Sequence, residues 1–141
     1  MIISIIKLLM LVAILLYASI NDIKYREVPD WVSGMLLILG FVNILADMIP
    51  TMILGAVLVF LPQYISALIS PSKALGGADI KISTAAAFLL GAQRGLFALI
   101  IGLALSTIVI PVARKVHHTH KTGPFPLIPF LVVGILTAYL I

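Results

Sequence analysis

The chain has 141 residues, 62% hydrophobic and 10% charged, with a mean hydropathy of +1.26; a water-soluble domain cannot carry so apolar a composition, so it reads as a single all-α integral membrane domain over residues 1–141. The absence of cysteine excludes disulfides, cysteine metal sites and a thiol nucleophile. The net charge of +4 comes from basic residues scattered at the ends of apolar runs, without interleaved aromatics, which argues for anionic lipid headgroups and against nucleic acid as the partner.

Ile2 to about Ile20 is one apolar run whose only charge is Lys7, long enough to cross a hydrocarbon core of about 30 Å. A compact basic leader is missing and Asn21-Asp22-Ile23-Lys24 is a poor signal-peptidase site, so this first segment is expected to be retained. Residues 21 to 30 are polar and reach Pro29, which suits the first turn of a new helix. A second segment follows from about Trp31, placed as an interfacial aromatic, to Ala46, and Asp47 and Pro50 mark a tight connection. The third, about Thr51 to Ile69, contains Pro62, which should kink it, and the polar Gln63, Tyr64 and Ser66, expected to face protein.

Ser70-Pro71-Ser72-Lys73 breaks the pattern, and a short fourth segment runs from Leu75 or Ala78 to about Ala92. Asp79 and Ser83 share a face of it, with Ala86 a turn further, and the small residues Ser83-Thr84-Ala85-Ala86-Ala87 allow close helix contact, so it belongs inside the bundle. Gly91 to Gly95 reads as a turn, the fifth segment spans about Leu96 to Ala113, and the polar stretch Arg114 to Lys121 follows. The last segment, from Pro124 or Phe125 to Ile141, opens on Pro124, Pro126 and Pro129, so its entry should be irregular and line protein or water.

Six transmembrane helices would put Lys24, Arg26, Lys73, Lys81, Arg114, Lys115 and Lys121 on one side and leave only Arg94 and Lys7 for the other. The positive-inside rule then sets both termini outside and places Asp22 and Asp79 at the cytoplasmic face of the plasma membrane. A carboxylate near a bilayer is costly, about 2.5–3.5 kcal/mol at a helix centre and less toward the interface, so each requires a reason. One aspartate alone is most simply an interfacial charge balanced by Lys24, Arg26 or Lys81. Two at the same depth and side, one ending a crossing and the other starting one, suggest a shared site closed by packing of the helices that carry them. Within a few ångströms of each other they would titrate as a pair, one protonated and one ionised, as aspartyl hydrolysis needs. The Gly76-Gly77-Ala78 run before Asp79 lets backbone approach backbone or a peptide substrate.

Asp22-x-x-x-Arg26-x-Val28-Pro29 and Gly76-Gly77-Ala78-Asp79-Ile80-Lys81 resemble the two aspartate motifs of type IV prepilin peptidases, polytopic GxGD-type aspartyl proteases that include the preflagellin peptidases of archaea. Gly123-Pro124-Phe125-Pro126-Leu127-Ile128-Pro129-Phe130 is similar to that family's proline- and phenylalanine-rich entry to a late helix. The resemblance implies an endopeptidase with Asp22 and Asp79 as catalytic residues, Arg26, Pro29, Gly76, Gly77, Ala78 and Lys81 as motif support, and no cofactor. Its partner would be a prepilin-like or preflagellin-like substrate with a short basic leader, cut at the cytoplasmic membrane boundary. Larger members also methylate the new N-terminus through a cysteine-bearing domain, so proteolysis alone is expected here. Ala78 stands where the family has its second glycine; it adds one methyl and disfavours positive φ while still permitting close packing.

His117, His118 and His120 sit among lysines without a neighbouring carboxylate or cysteine and read as a headgroup-facing loop, so no metal is expected. Glu27 and Asp30 are expected to balance Lys24 and Arg26, ahead of binding a basic leader. Lys81 is expected to tune Asp79 or to snorkel to lipid phosphate. Tyr25 and Tyr64 read as interfacial packing. The non-enzymatic alternative is a small proton- or cation-conducting transporter subunit, which would need a polar path to the outer face where Asp47 is the only acid. A scaffold with vestigial aspartates is a third reading.

Overall fold

The computed structural model describes residues 2–42, 48–69, 76–116 and 126–141. They form six helices and, among the described residues, no strand: α1 (Ile2–Tyr25), α2 (Asp30–Phe41), α3 (Ile49–Ile69), α4 (Gly77–Leu90), α5 (Ala92–Val116) and α6 (Ile128–Leu140). The all-helical expectation therefore holds. α1, α3 and α5 are long and apolar enough to cross a membrane. α2, α4 and α6, with 12, 14 and 13 residues, rise only about 18–21 Å at 1.5 Å per residue and do not reach across a core of about 30 Å on their helical residues alone. Only Leu11, Leu15 and Ala18 among the apolar residues of α1 are fully shielded, while Ile2, Ile3, Leu9 and Ile20 are more than half exposed. Such an outward face belongs in lipid, not water.

Several boundaries differ from the sequence expectation, each for a local reason. α1 continues past Ile20 to Tyr25, so Asn21 and Asp22 lie in its closing turns and not in a loop. No breaker occurs in this stretch, and the Asn21 amide donates to the Tyr17 carbonyl at 3.1 Å, a bond that a helix allows. The stop comes at Arg26, which takes φ 57° and donates its N–H to the Asp22 carbonyl at 3.1 Å. That left-handed cap is ordinarily a glycine's role. Pro29 is the N-cap of α2 and not part of its first turn, with its carbonyl accepting the Val32 N–H at 3.1 Å. α2 ends at Phe41 instead of Ala46, and Asp47 lies outside the described residues. The turn expected over Gly91 to Gly95 contracts to Gly91, whose φ of 81° reverses the chain unaided, and Gln93, Arg94 and Gly95 are helical. On α3, Gln63 faces protein as expected, but Tyr64 and Ser66 are exposed; Tyr64 stacks outward on Phe60, with ring centroids 5.2 Å apart.

α4 is the inner helix, packed on α2, α3, α5 and α6, with Ile80, Ile82, Ala85, Ala86, Ala87 and Leu89 buried. Its alanines act as the sequence suggests. A Cβ added to Gly55 of α3 would sit 2.8 Å from the Ala87 carbonyl oxygen, so only a glycine facing an alanine run permits this approach. α6 docks on α5 in the same way, because a Cβ on Gly134 would overlap the Ala98 carbonyl oxygen. One apolar core then joins Leu15 of α1, Leu36 of α2, Ile82 of α4 and Ile128 and Ile135 of α6. This core fixes where α1 ends and where α4 and α6 begin.

Candidate active site

Asp22 in the last turns of α1 and Asp79 in the first turn of α4 are both buried, each with 9% of its surface exposed. Their carboxyls lie within electrostatic reach of one another. The way they are brought together corrects the sequence expectation that their own helices pack. Among the described residues α1 and α4 make no close backbone approach, whereas α2 and α6 each pack on both. The helix ends that carry the aspartates are therefore linked through α2 and α6 and not by direct packing of α1 on α4.

Asp22 is held by α6. Its Oδ2 accepts the N–H of Ile128 at 3.1 Å in a buried hydrogen bond. Ile128 is the first residue of α6, and its N–H has no acceptor within the helix, as holds for every opening turn. Pro129 follows without an N–H of its own, so the proline-rich entry leaves a donor where the positive end of the helix dipole also favours a carboxylate. The expectation that this entry lines protein holds for Ile128, which is fully buried, while Pro124 and Phe125 lie outside the described residues. Arg26 is exposed, and its guanidinium acts on Asp22 through space.

Asp79 closes the start of α4. Its Oδ2 accepts the Gly76 N–H at 3.1 Å and its own N–H donates to the Gly76 carbonyl at 3.1 Å, a reciprocal cap of the capping-box kind. Gly76 has ordinary extended angles, φ −70° and ψ 144°, so its backbone does not demand glycine. A side chain there would press on the site instead: a Cβ would lie 3.0 Å from Asp79 Oδ2, so that carboxylate would have to give by a few tenths of an ångström. Gly77 is exposed and has open space around it. Each aspartate thus spends one oxygen on a backbone N–H, and its other oxygen has no hydrogen-bond partner among the described residues.

Ala78 is helical, partly buried against the core, and does not take positive φ. Its methyl therefore removes no backbone turn from this site. We expect Ala78→Gly to lower stability in detergent by about 1 kcal/mol, the helix-propensity difference, and to bring no gain of proteolysis. Thermal unfolding and a cleavage assay on the purified variant would check both.

Beneath Asp79, Gln63 and Ser83 form a buried pair between α3 and α4. Gln63 Nε2 donates to Ser83 Oγ at 2.9 Å, and the Ser83 hydroxyl donates to the Asp79 carbonyl at 2.7 Å. Gln63 beside Pro62 in an apolar helix is a visible signal of a protein-facing group, but its partner twenty residues away is not readable from spacing. Lys81 and Asp30 also depart from expectation. They pair with each other at 2.7 Å, with side chains 54% and 77% exposed, so Asp30 balances Lys81 and not Lys24 or Arg26. Lys24 lies over the Tyr25 ring, 5.3 Å from its centroid. An ion pair this exposed is worth under about 1 kcal/mol. Lys81→Gln should accordingly shift the unfolding temperature by no more than about 4–8 °C and leave the cleavage rate within about twofold of wild type, measured side by side with the parent protein. Pro29 sets the entry to the helix that carries Asp30, and the next residue, Trp31, rests against Tyr17 with centroids 5.0 Å apart, both outward as interfacial aromatics are. The three histidines lie outside the described residues.

Two buried carboxyls, each oriented by a main-chain donor, are of the chemical type that can take up and release a proton in general acid–base catalysis. The sequence matches the model of the type IV leader peptidase family over residues 9–112. No curated protein and no solved structure gives a match. The family match takes in α1 from Leu9 onward, both aspartates and most of α5, well over half of the chain. The three long apolar helices and this match together mark a membrane protein, and the chain belongs to the type IV leader peptidase family.

Proposed function

We propose that the protein is a membrane aspartyl endopeptidase of the GxGD kind that removes the leader of a prepilin-like or preflagellin-like protein of a type IV pilus or archaellum, with Asp22 and Asp79 as its catalytic dyad. Membership of the family carries an aspartic-type peptidase activity on a protein bearing a leader. The observation that supports the dyad is the burial of both carboxyls within electrostatic reach of each other. In this reading the pair shares one proton. The ionised aspartate takes a proton from the intervening water as its oxygen adds to the scissile carbonyl carbon, and the protonated aspartate donates to the carbonyl oxygen. Collapse of the tetrahedral intermediate breaks the C–N bond, the amine leaves with a proton returned from the dyad, and the leader departs as a carboxylic acid.

The open surroundings of Gly77 and the absence of a side chain at Gly76 give an extended substrate backbone room beside Asp79. Arg26 supplies a fixed positive charge near Asp22. In the proposed topology there are six crossings with both termini outside, the short α2, α4 and α6 being completed by flanking residues. Charge supports it: among the described residues Lys24, Arg26, Lys81, Arg114 and Lys115 lie at the helix ends on the aspartate side, and only Lys7 and Arg94 at the other. The site then faces the cytoplasm at the plasma membrane, where a basic leader would emerge. N-methylation is not part of this reading, and neither cofactor nor metal is required. Incubating purified protein in detergent with a panel of leader-bearing peptides tests the proposal: a single cut at the leader boundary is expected, and persistent failure to cut any of them would oppose it.

A further inference from the structure

At the end of the bundle away from the aspartates, a cavity of about 940 Å³ opens among the termini of the helices. Lys7 of α1 lies about 22 Å along that helix from Asp22, and Arg94 is in the first turn of α5 beyond Gly91. These are the two described cations that break the charge bias of the bundle, and both line this same cavity. Thr51, Gln93 and the Tyr139 ring add polar groups, and the walls include Leu54 and Leu89. Among the described residues, no acidic side chain lines it. Lys7 Nζ donates one hydrogen to the Val42 carbonyl at 3.1 Å, and an ammonium group carries two more donors. α3 and α5 both begin here with no acidic residue in their first turns, so their dipoles add to the positive field.

We infer that this cavity binds the headgroup of an anionic phospholipid from the leaflet opposite the aspartates, its phosphate between Lys7 and Arg94 and its acyl chains along Leu54. Two cations in a site fringed by apolar side chains complement a molecule that joins a negative headgroup to hydrocarbon. Both break the positive-inside pattern in the same place, which a ligand explains and topology does not. The inference is independent of the proteolytic reading, because none of these residues belongs to the aspartate site.

The test places a reporter in the wall. Leu54→Trp is made in a Trp31→Phe background, so that its indole is the protein's only one, and the protein is reconstituted in phosphatidylcholine vesicles carrying brominated phosphatidylglycerol or brominated phosphatidylcholine. At about fivefold per cation, two cations give phosphatidylglycerol an apparent preference of roughly 25-fold in quenching the reporter. Lys7→Gln with Arg94→Gln should reduce that preference to within about twofold, while Arg94→Lys retains most of it. Equal quenching by the two lipids, or a preference that survives in the double variant, would overturn the site. Displacement of the brominated lipid by millimolar inorganic phosphate would overturn the lipid assignment in favour of a free anion. Should the double variant not fold, charge reversal at Arg94→Glu alone decides the question, since it must cut the preference at least fivefold.

Discussion

Asp22→Asn and Asp79→Asn are each expected to lower leader cleavage by about 10³-fold or more while the protein stays folded and inserted. Asparagine is nearly isosteric with aspartate, and its carbonyl oxygen can still accept the Ile128 N–H in the first variant and the Gly76 N–H in the second. The caps that these bonds provide survive, so the loss is a loss of chemistry. An amide can neither ionise to receive a proton from water nor deliver one to a peptide carbonyl. Because the two groups work as a unit, the double variant should be little worse than either single one. Cleavage of a leader peptide by each variant, alongside thermal unfolding in detergent, separates the effects. Half-wild-type activity in either single variant would remove that aspartate from the mechanism.

The second large effect falls far from the carboxylates. Gly134→Ala is expected to destabilise the protein by about 1–3 kcal/mol and to depress cleavage at the same time. The added methyl would occupy the place of the Ala98 carbonyl oxygen on α5, a main-chain atom with no rotamer to yield, so α6 must move away. α6 carries Ile128, whose N–H orients Asp22, and a displacement of about 1 Å at such a group is enough to cost on the order of 100-fold in rate. Gly34→Ala on α2 is the matched control. A Cβ there meets nothing within 4 Å, so that change should be neutral or stabilise the helix by up to about 1 kcal/mol. Unfolding temperatures and cleavage rates of the two variants, measured together, would show whether the close approach at Gly134 carries the effect.

Hydropathy made the long apolar helices and the inner position of α4 readable, because lipid-facing runs and a Ser-Thr-Ala-Ala-Ala stretch speak through composition alone. The two aspartates were readable for a similar reason: a carboxylate at the end of an apolar segment is rare enough to count. What holds them was not. Ile128 meets Asp22 across 106 positions of chain through a backbone N–H, and a main-chain donor leaves no mark in residue type beyond the proline beside it. The role of α2 and α6 in bridging α1 to α4 depends on three-dimensional packing that no spacing encodes. Ala78 misleads in the opposite direction, since a motif position suggesting a special turn is occupied here by ordinary helix. Lys81 and Asp30, on neighbouring helices, look from sequence like partners for nearer charges, because only folding brings α2 beside α4.

The cysteine-free chain allows the meeting of the two aspartates to be measured directly. In an Asp22→Cys, Asp79→Cys double variant, a short bismaleimide should join the two thiols within one molecule in the membrane, far faster than it joins those of an Asp22→Cys, Arg94→Cys control spanning the bundle. Cross-linking no faster than in the control would mean that the carboxyls do not share a site, and the dyad would have no basis.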